Sequence, residues 1–250
     1  MNEYRDALAY LCHEIGNPLN SLLFKVYLIE RSDSELLKGT SVKELASSAL
    51  FDVNRMSRVI EDAKHFYNFK NKGVIEKEQF SLSDVISELI RHGSNRDEDS
   101  SLQISFTKTT DGIINADKIR IIQAISNILD NAIKFAPKGS NVIINLSDKK
   151  DYYELRIKDF GPGIDKNDID LIFEPYIQLN KRAKEGLGLG LYLSKKFIEC
   201  HDGKLSVESQ KGSGSEFIIM LPKSRVTSSG DEEDRISFCQ NSDKSGSLHH

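Results

Sequence analysis

The chain has 250 residues, with 34 Lys and Arg against 38 Asp and Glu for a net charge of −4, a mild acidity that gives no ground for a nucleic-acid or anionic-membrane partner. No apolar run approaches the ~18 residues of a membrane helix, and "MNEYRDALAY" lacks the basic and apolar regions of a secretory leader. Cys12, Cys200 and Cys239 are odd in number and far apart, which suggests reduced thiols and a soluble, cytoplasmic chain.

The first predicted element is a helix over residues 4–30, with apolar side chains at Leu8, Leu11, Ile15, Leu19, Leu22, Val26 and Ile29 in steps of three and four. Gly16 and Pro18 interrupt its best-patterned part, although both weaken a helix interior. After the polar break "RSDSELLKGTS", a second stripe runs through Leu45, Ala49, Val53, Met56, Ile60, Ala63 and Tyr67. Two helices joined by a short turn make an antiparallel hairpin. One hairpin leaves half of each apolar face wet, so residues 1–72 are expected to pair with a second copy as a homodimeric four-helix bundle. "NKGVIEKEQ" reads as the hinge that follows.

Beyond the hinge the pattern becomes mixed. Strands are predicted at 102–107, 113–115, 141–147, 152–158, 204–208 and 215–221, and helices at 83–91, 117–135 and 188–200, with a turn of helix near 168–173. Asp117 stands where an N-cap is needed for the central helix. Residues 73–222 thus read as an α/β sandwich, one sheet covered on one face by helices. The Ser-rich, charged residues 223–250 are expected to be disordered.

Four stretches of this second domain carry unusual residues. In "NILDNAIKF", Asn127, Asn131 and Lys134 share one helical face, and amide oxygens with a lysine suit a magnesium-bound triphosphate. "DFGPGI" follows a strand directly; its glycines permit close approach to the backbone, and Asp159 can accept a hydrogen bond from an amino group. "GLGLGL" opens a helix and exposes backbone N–H groups, a ready anion site. "GSGSEF" turns into the last strand. Each alone is also compatible with an ordinary turn or a solvated face; their order on plausible elements is not.

Over about residues 4–222 the chain resembles the sensor histidine kinases of two-component signalling. "HEIGNPL" resembles the phospho-acceptor H box, "NILDNAIKF" the N box, "DFGPGI" and "GLGLGL" the two glycine boxes, "FEPY" the F box and "GSGSEF" the last glycine motif, with Ser215 where threonine is common. The resemblance implies a dimerisation and phosphotransfer hairpin followed by an ATP-binding domain of the gyrase and heat-shock-chaperone type. It implies Asn131 as a ligand of Mg²⁺, Asn127 and Lys134 near the phosphates, Phe135 lining the nucleotide site, and Asp159 bonding the adenine amino group against Gly161 and Gly163. Gly186, Gly188 and Gly190 would hinge a lid over residues 175–185, in which Lys181, Arg182 and Lys184 would meet phosphate.

In that context His13 becomes the phospho-acceptor. It lies off the apolar stripe, Glu14 would hold one ring N–H and act as base, and Asn17 shares the face of His13 one turn on. Neutral imidazole is a good nucleophile toward a γ-phosphoryl group. Pro18 cannot bond the Glu14 carbonyl, so a local bend is expected beside the acceptor. Asn127 stands where related ATPases carry a glutamate, and an amide cannot take a proton from water, which favours transfer over hydrolysis. The expected partner is a response-regulator receiver domain, both phosphorylated and dephosphorylated by this chain, with Asn17 serving the second reaction. A serine-directed mitochondrial relative fits less well because "HEIGN" is intact, and a degenerate scaffold because no box is visibly damaged. Only twelve residues precede His13, so the signal input is expected from elsewhere.

Overall fold

The structure is a computed structural model that describes residues 2–31, 41–71, 75–94, 102–179 and 187–223, in a helical unit and an α/β unit. The predicted tail beyond Lys223 and the loop between the first two helices lie outside the described residues; Lys223, expected to begin that tail, donates its N–H to the Asp151 carbonyl at 3.1 Å.

The helical unit holds α1 (Asn2–Arg31) and α2 (Val42–Asn71), which pack on each other. Pro18 is accommodated inside α1. Ser41 and Glu44 start α2 with a reciprocal cap: Ser41 Oγ accepts from the Glu44 N–H at 3.2 Å, and Glu44 Oε2 from the Ser41 N–H at 2.8 Å. The stripes read from periodicity are only partly buried. Leu45 of the second stripe is enclosed, whereas Leu19, Val26, Val53, Ile60 and Tyr67 are exposed, and the enclosed Leu28 and Val59 are neighbours of stripe residues rather than members of the stripes. The side of α1 turned to α2 instead carries Lys25, whose ammonium lies 2.6 Å from the Asp52 carboxylate and 3.2 Å from the Ser48 carbonyl. The apolar arc is wider than one partner helix can cover, so part of the predicted stripe faces outward.

The α/β unit begins with β1 (Glu78–Ser81) and α3 (Leu82–Ser94), continues through β2 (Gln103–Lys108), β3 (Ile113–Ala116) and α4 (Lys118–Phe135), and then forms β4 (Asn141–Asp148) and β5 (Tyr152–Asp159). Two 3₁₀ turns, Lys166–Asp168 and Leu171–Phe173, precede α5 (Gly190–Glu199), β6 (Lys204–Ser209) and β7 (Ser215–Pro222). The main sheet has the order β2-β4-β5-β7-β6, parallel between β2 and β4 and antiparallel elsewhere, while β1 and β3 make a separate antiparallel pair.

Alternation positions the core. Val142, Ile144 and Leu146 of β4, Leu155 and Ile157 of β5, and Phe217, Ile219 and Leu221 of β7 are buried. They share the core with Ile121, Ile125, Ile128 and Leu129 of α4 and with Leu193, Phe197 and Ile198 of α5. Each such side chain contributes about 1.5–3 kcal/mol on burial. The six predicted strands and three predicted helices are present with ends moved by up to three residues. No strand is predicted at β1, whose Glu78 and Gln79 fall in the hinge reading: Phe80 is its one buried residue, and a single buried side chain makes no period.

Asp117 caps α4 as expected, its carboxylate accepting from the Arg120 N–H at 3.1 Å and pairing with Arg120 Nε at 3.1 Å. The Asp117 N–H in turn donates to Nε2 of His201 at 2.9 Å, and Nδ1 of His201 lies 2.6 Å from the Phe197 carbonyl. Both bonds are made only by neutral imidazole protonated on Nδ1. Burial holds the pKa of His201 below its ordinary value, against the opposing pull of the Phe197 carbonyl. Cys12 is a free thiol.

Candidate active site

The site is built from the end of α4, the end of β5 and the start of α5. On α4, Ile128, Leu129 and Ala132 face the core, which leaves Asn127, Asn131 and Lys134 on the other side, the asparagines half-buried and Lys134 exposed. Phe135 closes the helix, 38 % exposed as a residue, with the Lys134 ammonium 5.7 Å from its ring centre.

Asp159 is the last residue of β5, opposite Ser215 of β7, and is only 4 % exposed. Its Oδ1 accepts from the Gly161 N–H at 2.8 Å. Burial raises the pKa of this carboxyl, partly offset by backbone N–H groups of Gly161 and Ser215. Two donors leave acceptor positions on the carboxylate for an amino group of a ligand. Gly161 is required by close approach: a Cβ there would stand 2.6 Å from the Phe135 carbonyl oxygen, so glycine is what lets the β5 loop lie against the end of α4. Gly163 has φ +66° and its Cβ would collide with the Gln210 carbonyl.

The last glycine motif packs beneath this loop. Ser209 Oγ accepts from the Ile164 N–H at 2.8 Å, donates to the Gly214 carbonyl at 2.8 Å and lies 2.9 Å from Ser215 Oγ. Ser209 was not singled out from sequence, because it lies outside the motif and reaches it only through the β6–β7 pairing. The F box contributes Phe173, buried, with the Lys195 ammonium 5.1 Å from its ring centre.

The helix of the second glycine box begins at Gly190, two residues later than predicted, and Gly188 precedes it with φ +69°. Gly190 accepts from the Asn127 amide at 3.2 Å, so this box and the N box meet directly. Gly186, Lys181, Arg182 and Lys184 lie outside the described residues, as does most of the predicted lid.

Of the H box, His13, Glu14 and Asn17 lie on α1. The side chains of His13 and Glu14 are outside the described residues; Asn17 is exposed and Pro18 buried. Cys12, beside His13, is exposed.

Comparison with known proteins follows these motifs. Residues 116–225 match the family described as histidine kinase-, DNA gyrase B- and HSP90-like ATPase. The chain is 26% identical over 223 residues to the sensor protein SrrB of Staphylococcus aureus, covering 88% of this chain and 38% of SrrB. It is 32% identical over 233 residues to the autoinducer 2 sensor kinase/phosphatase LuxQ of Vibrio vulnificus, covering 87% of this chain and 26% of LuxQ. The chain therefore spans well under half the length of either relative. Among solved structures, the catalytic domain of the histidine kinase ThkA is similar at TM-score 0.55 and 28% identity, over 60% of this chain and 99% of that one. A ThkA structure in complex with the response regulator protein TrrA is similar at TM-score 0.69 and 24% identity, over 88% of this chain and 61% of that one, a likeness of fold that reaches beyond the α/β unit.

Proposed function

From the match of residues 116–225 to the histidine kinase-, DNA gyrase B- and HSP90-like ATPase family, we propose that this chain is the kinase core of a sensor histidine kinase. In this reading it autophosphorylates His13 from ATP and passes the phosphoryl group to an aspartate of a response-regulator receiver domain. The observation that carries the reading is the buried Asp159 carboxylate, with Phe135 and Gly161 packed beside it and the N box on the adjoining helix.

Asp159 accepts the adenine amino group, and the exposed ring of Phe135 gives a surface for the base. The polar face of α4 suits Mg²⁺–ATP: Asn131 supplies a hard oxygen ligand, Lys134 serves the phosphates directly, and Asn127, whose amide nitrogen donates to the Gly190 carbonyl, would serve them through the metal with Oδ1. When bound, Mg²⁺ supplies charge neutralisation on the triphosphate. Lys181 and Arg182, on a lid hinged by Gly186, Gly188 and Gly190, complete the anion site. A ring nitrogen of His13 attacks the γ-phosphorus; the N–P bond forms as the bond to the β–γ bridging oxygen breaks, and ADP leaves. Glu14 holds the other ring N–H and removes positive charge as it develops. Phosphoryl transfer needs mainly alignment and charge neutralisation, and Asn127 in place of a carboxylate withholds the base that hydrolysis needs.

Two finer assignments complete the proposal. The chain acts as a homodimer, supported by the exposed apolar arc of Leu19, Leu23, Leu50, Phe51 and Ile60. It also dephosphorylates its regulator, with Asn17 aligning water; LuxQ is named a kinase/phosphatase, and ThkA forms a complex with a response regulator.

Titration with ATP, with and without Mg²⁺, tests the nucleotide site. Asp159→Asn is expected to weaken binding about 100-fold under both conditions, as about 2–3 kcal/mol of charge-assisted bonding is lost. Asn131→Ala is expected to remove mainly the Mg²⁺-dependent increment. Unchanged affinity in both variants contradicts the assignment.

A further inference from the structure

Asn127 belongs to the polar face of α4, yet its amide nitrogen is engaged by α5, 3.2 Å from the Gly190 carbonyl and 3.4 Å from Ser194 Oγ. A carbonyl oxygen only accepts, so the amide atom turned toward α5 is the nitrogen, and Oδ1 is the atom left for a ligand. Ser194 is fully buried at the centre of this contact. Its Oγ lies 2.8 Å from the Gly190 carbonyl that also receives Asn127, and 3.3 Å from the Ala124 carbonyl on α4. A buried serine bonded to the carbonyl four residues back is common on helices. Here the same hydroxyl also reaches across to α4 and to the Asn127 side chain. Room is not what joins Gly190 to Asn127: a Cβ on Gly190 would stand 3.5 Å from Asn127 Cγ, an ordinary contact. The link is the carbonyl and the hydroxyl beside it.

We propose that Ser194 is a positioning residue of the nucleotide site: with the Gly190 carbonyl it fixes the Asn127 amide with Oδ1 free for Mg²⁺–ATP, and so couples that site to the glycine turn at the start of α5. The proposal rests on the nucleotide reading of α4. Outer groups that orient a ligand to a metal centre are worth about 10–100-fold in affinity, and an effect exerted through Asn127 disappears when Asn127 is removed.

The test is calorimetric titration of the full chain with ATP, in Mg²⁺ and in chelator, for the parent, Ser194→Ala, Asn127→Ala and the double variant, each with a melting curve. Ser194→Ala is expected to weaken Mg²⁺–ATP binding about tenfold while changing binding in chelator less than about twofold. In the Asn127→Ala background the same substitution is expected to add less than about twofold. Equal losses in both backgrounds, equal losses with and without Mg²⁺, or no loss at all overturns the positioning role. Should Ser194→Ala not fold, Ser194→Cys keeps a weaker donor and acceptor in nearly the same volume; a selective loss of Mg²⁺–ATP affinity, absent in the Asn127→Ala background, is again expected, and its absence counts against the proposal. Failure of the parent chain itself to bind ATP removes the nucleotide reading, a result distinct from binding without coupling.

Discussion

In the α/β unit Leu146, Leu155, Ile157, Leu193 and Ile219 are fully buried, whereas in the helical unit Leu23, Phe24, Leu50, Phe51, Ile60 and Tyr67 are more than half exposed. The first unit has a closed core made by its own sheet and helices. The second has a narrow inner seam, with the Lys25–Asp52 pair set into it, and an outer apolar surface that a second hairpin can cover. Nucleotide binding and association should therefore fail separately, each through its own unit.

The largest effect is expected where the helical unit meets water. Replacing Leu19 and Leu23 with Asp puts two charges on a surface proposed to be buried between copies, at a cost that ion-sized desolvation makes prohibitive. The parent is expected to sediment as a dimer and the variant as a monomer, with ATP affinity within about twofold of the parent. Unchanged association of the variant contradicts the pairing surface.

A smaller effect concerns the inner seam. Removing one partner of an enclosed ion pair strands the other, whereas replacing both with apolar side chains is often neutral or better. Lys25→Met should destabilise the hairpin by about 2 kcal/mol, and Lys25→Met with Asp52→Leu should recover most of it. Urea unfolding of the two variants reads this directly; equal destabilisation by both means the pair itself supplies net stability.

The smallest effect distinguishes the α/β unit by pH. Burial depresses the pKa of His201, with Asp117, Arg120 and Lys77 as its charged neighbours. A group with a depressed folded-state pKa contributes stability that is fully present above its ordinary value near 6.5 and is lost as pH falls below it. Protonation also removes the acceptor for the Asp117 N–H. Stability of the α/β unit should therefore decline below about pH 6.5, and His201→Gln should flatten that slope while lowering stability at neutral pH by about 1 kcal/mol. A parallel slope in the variant assigns the acid sensitivity to other groups.

The sheet was legible wherever alternation was strong: "NVIINLSD" declares β4 through Val142, Ile144 and Leu146. The strand β1 was not, with one buried side chain in four residues. The hairpin was legible as two helices but not in its facing, because steps of three and four describe an apolar arc without saying which part a partner covers. For the same reason nothing in the spacing marks Lys25 and Asp52 as partners across the seam. Asn127, Asn131 and Lys134 were placed on one face correctly, since that depends on helical spacing alone. Ser194 and His201 act on residues 67 and 84 positions away, and no local pattern carries such contacts.

The central claim is that the nucleotide domain serves a histidine on the hairpin. Incubation of the full chain with γ-labelled ATP and Mg²⁺ should yield protein label that is lost in acid and kept in alkali, as for a phosphoramidate, and His13→Gln should abolish it while leaving ATP binding intact. Label that persists in His13→Gln, or that survives acid, contradicts the account.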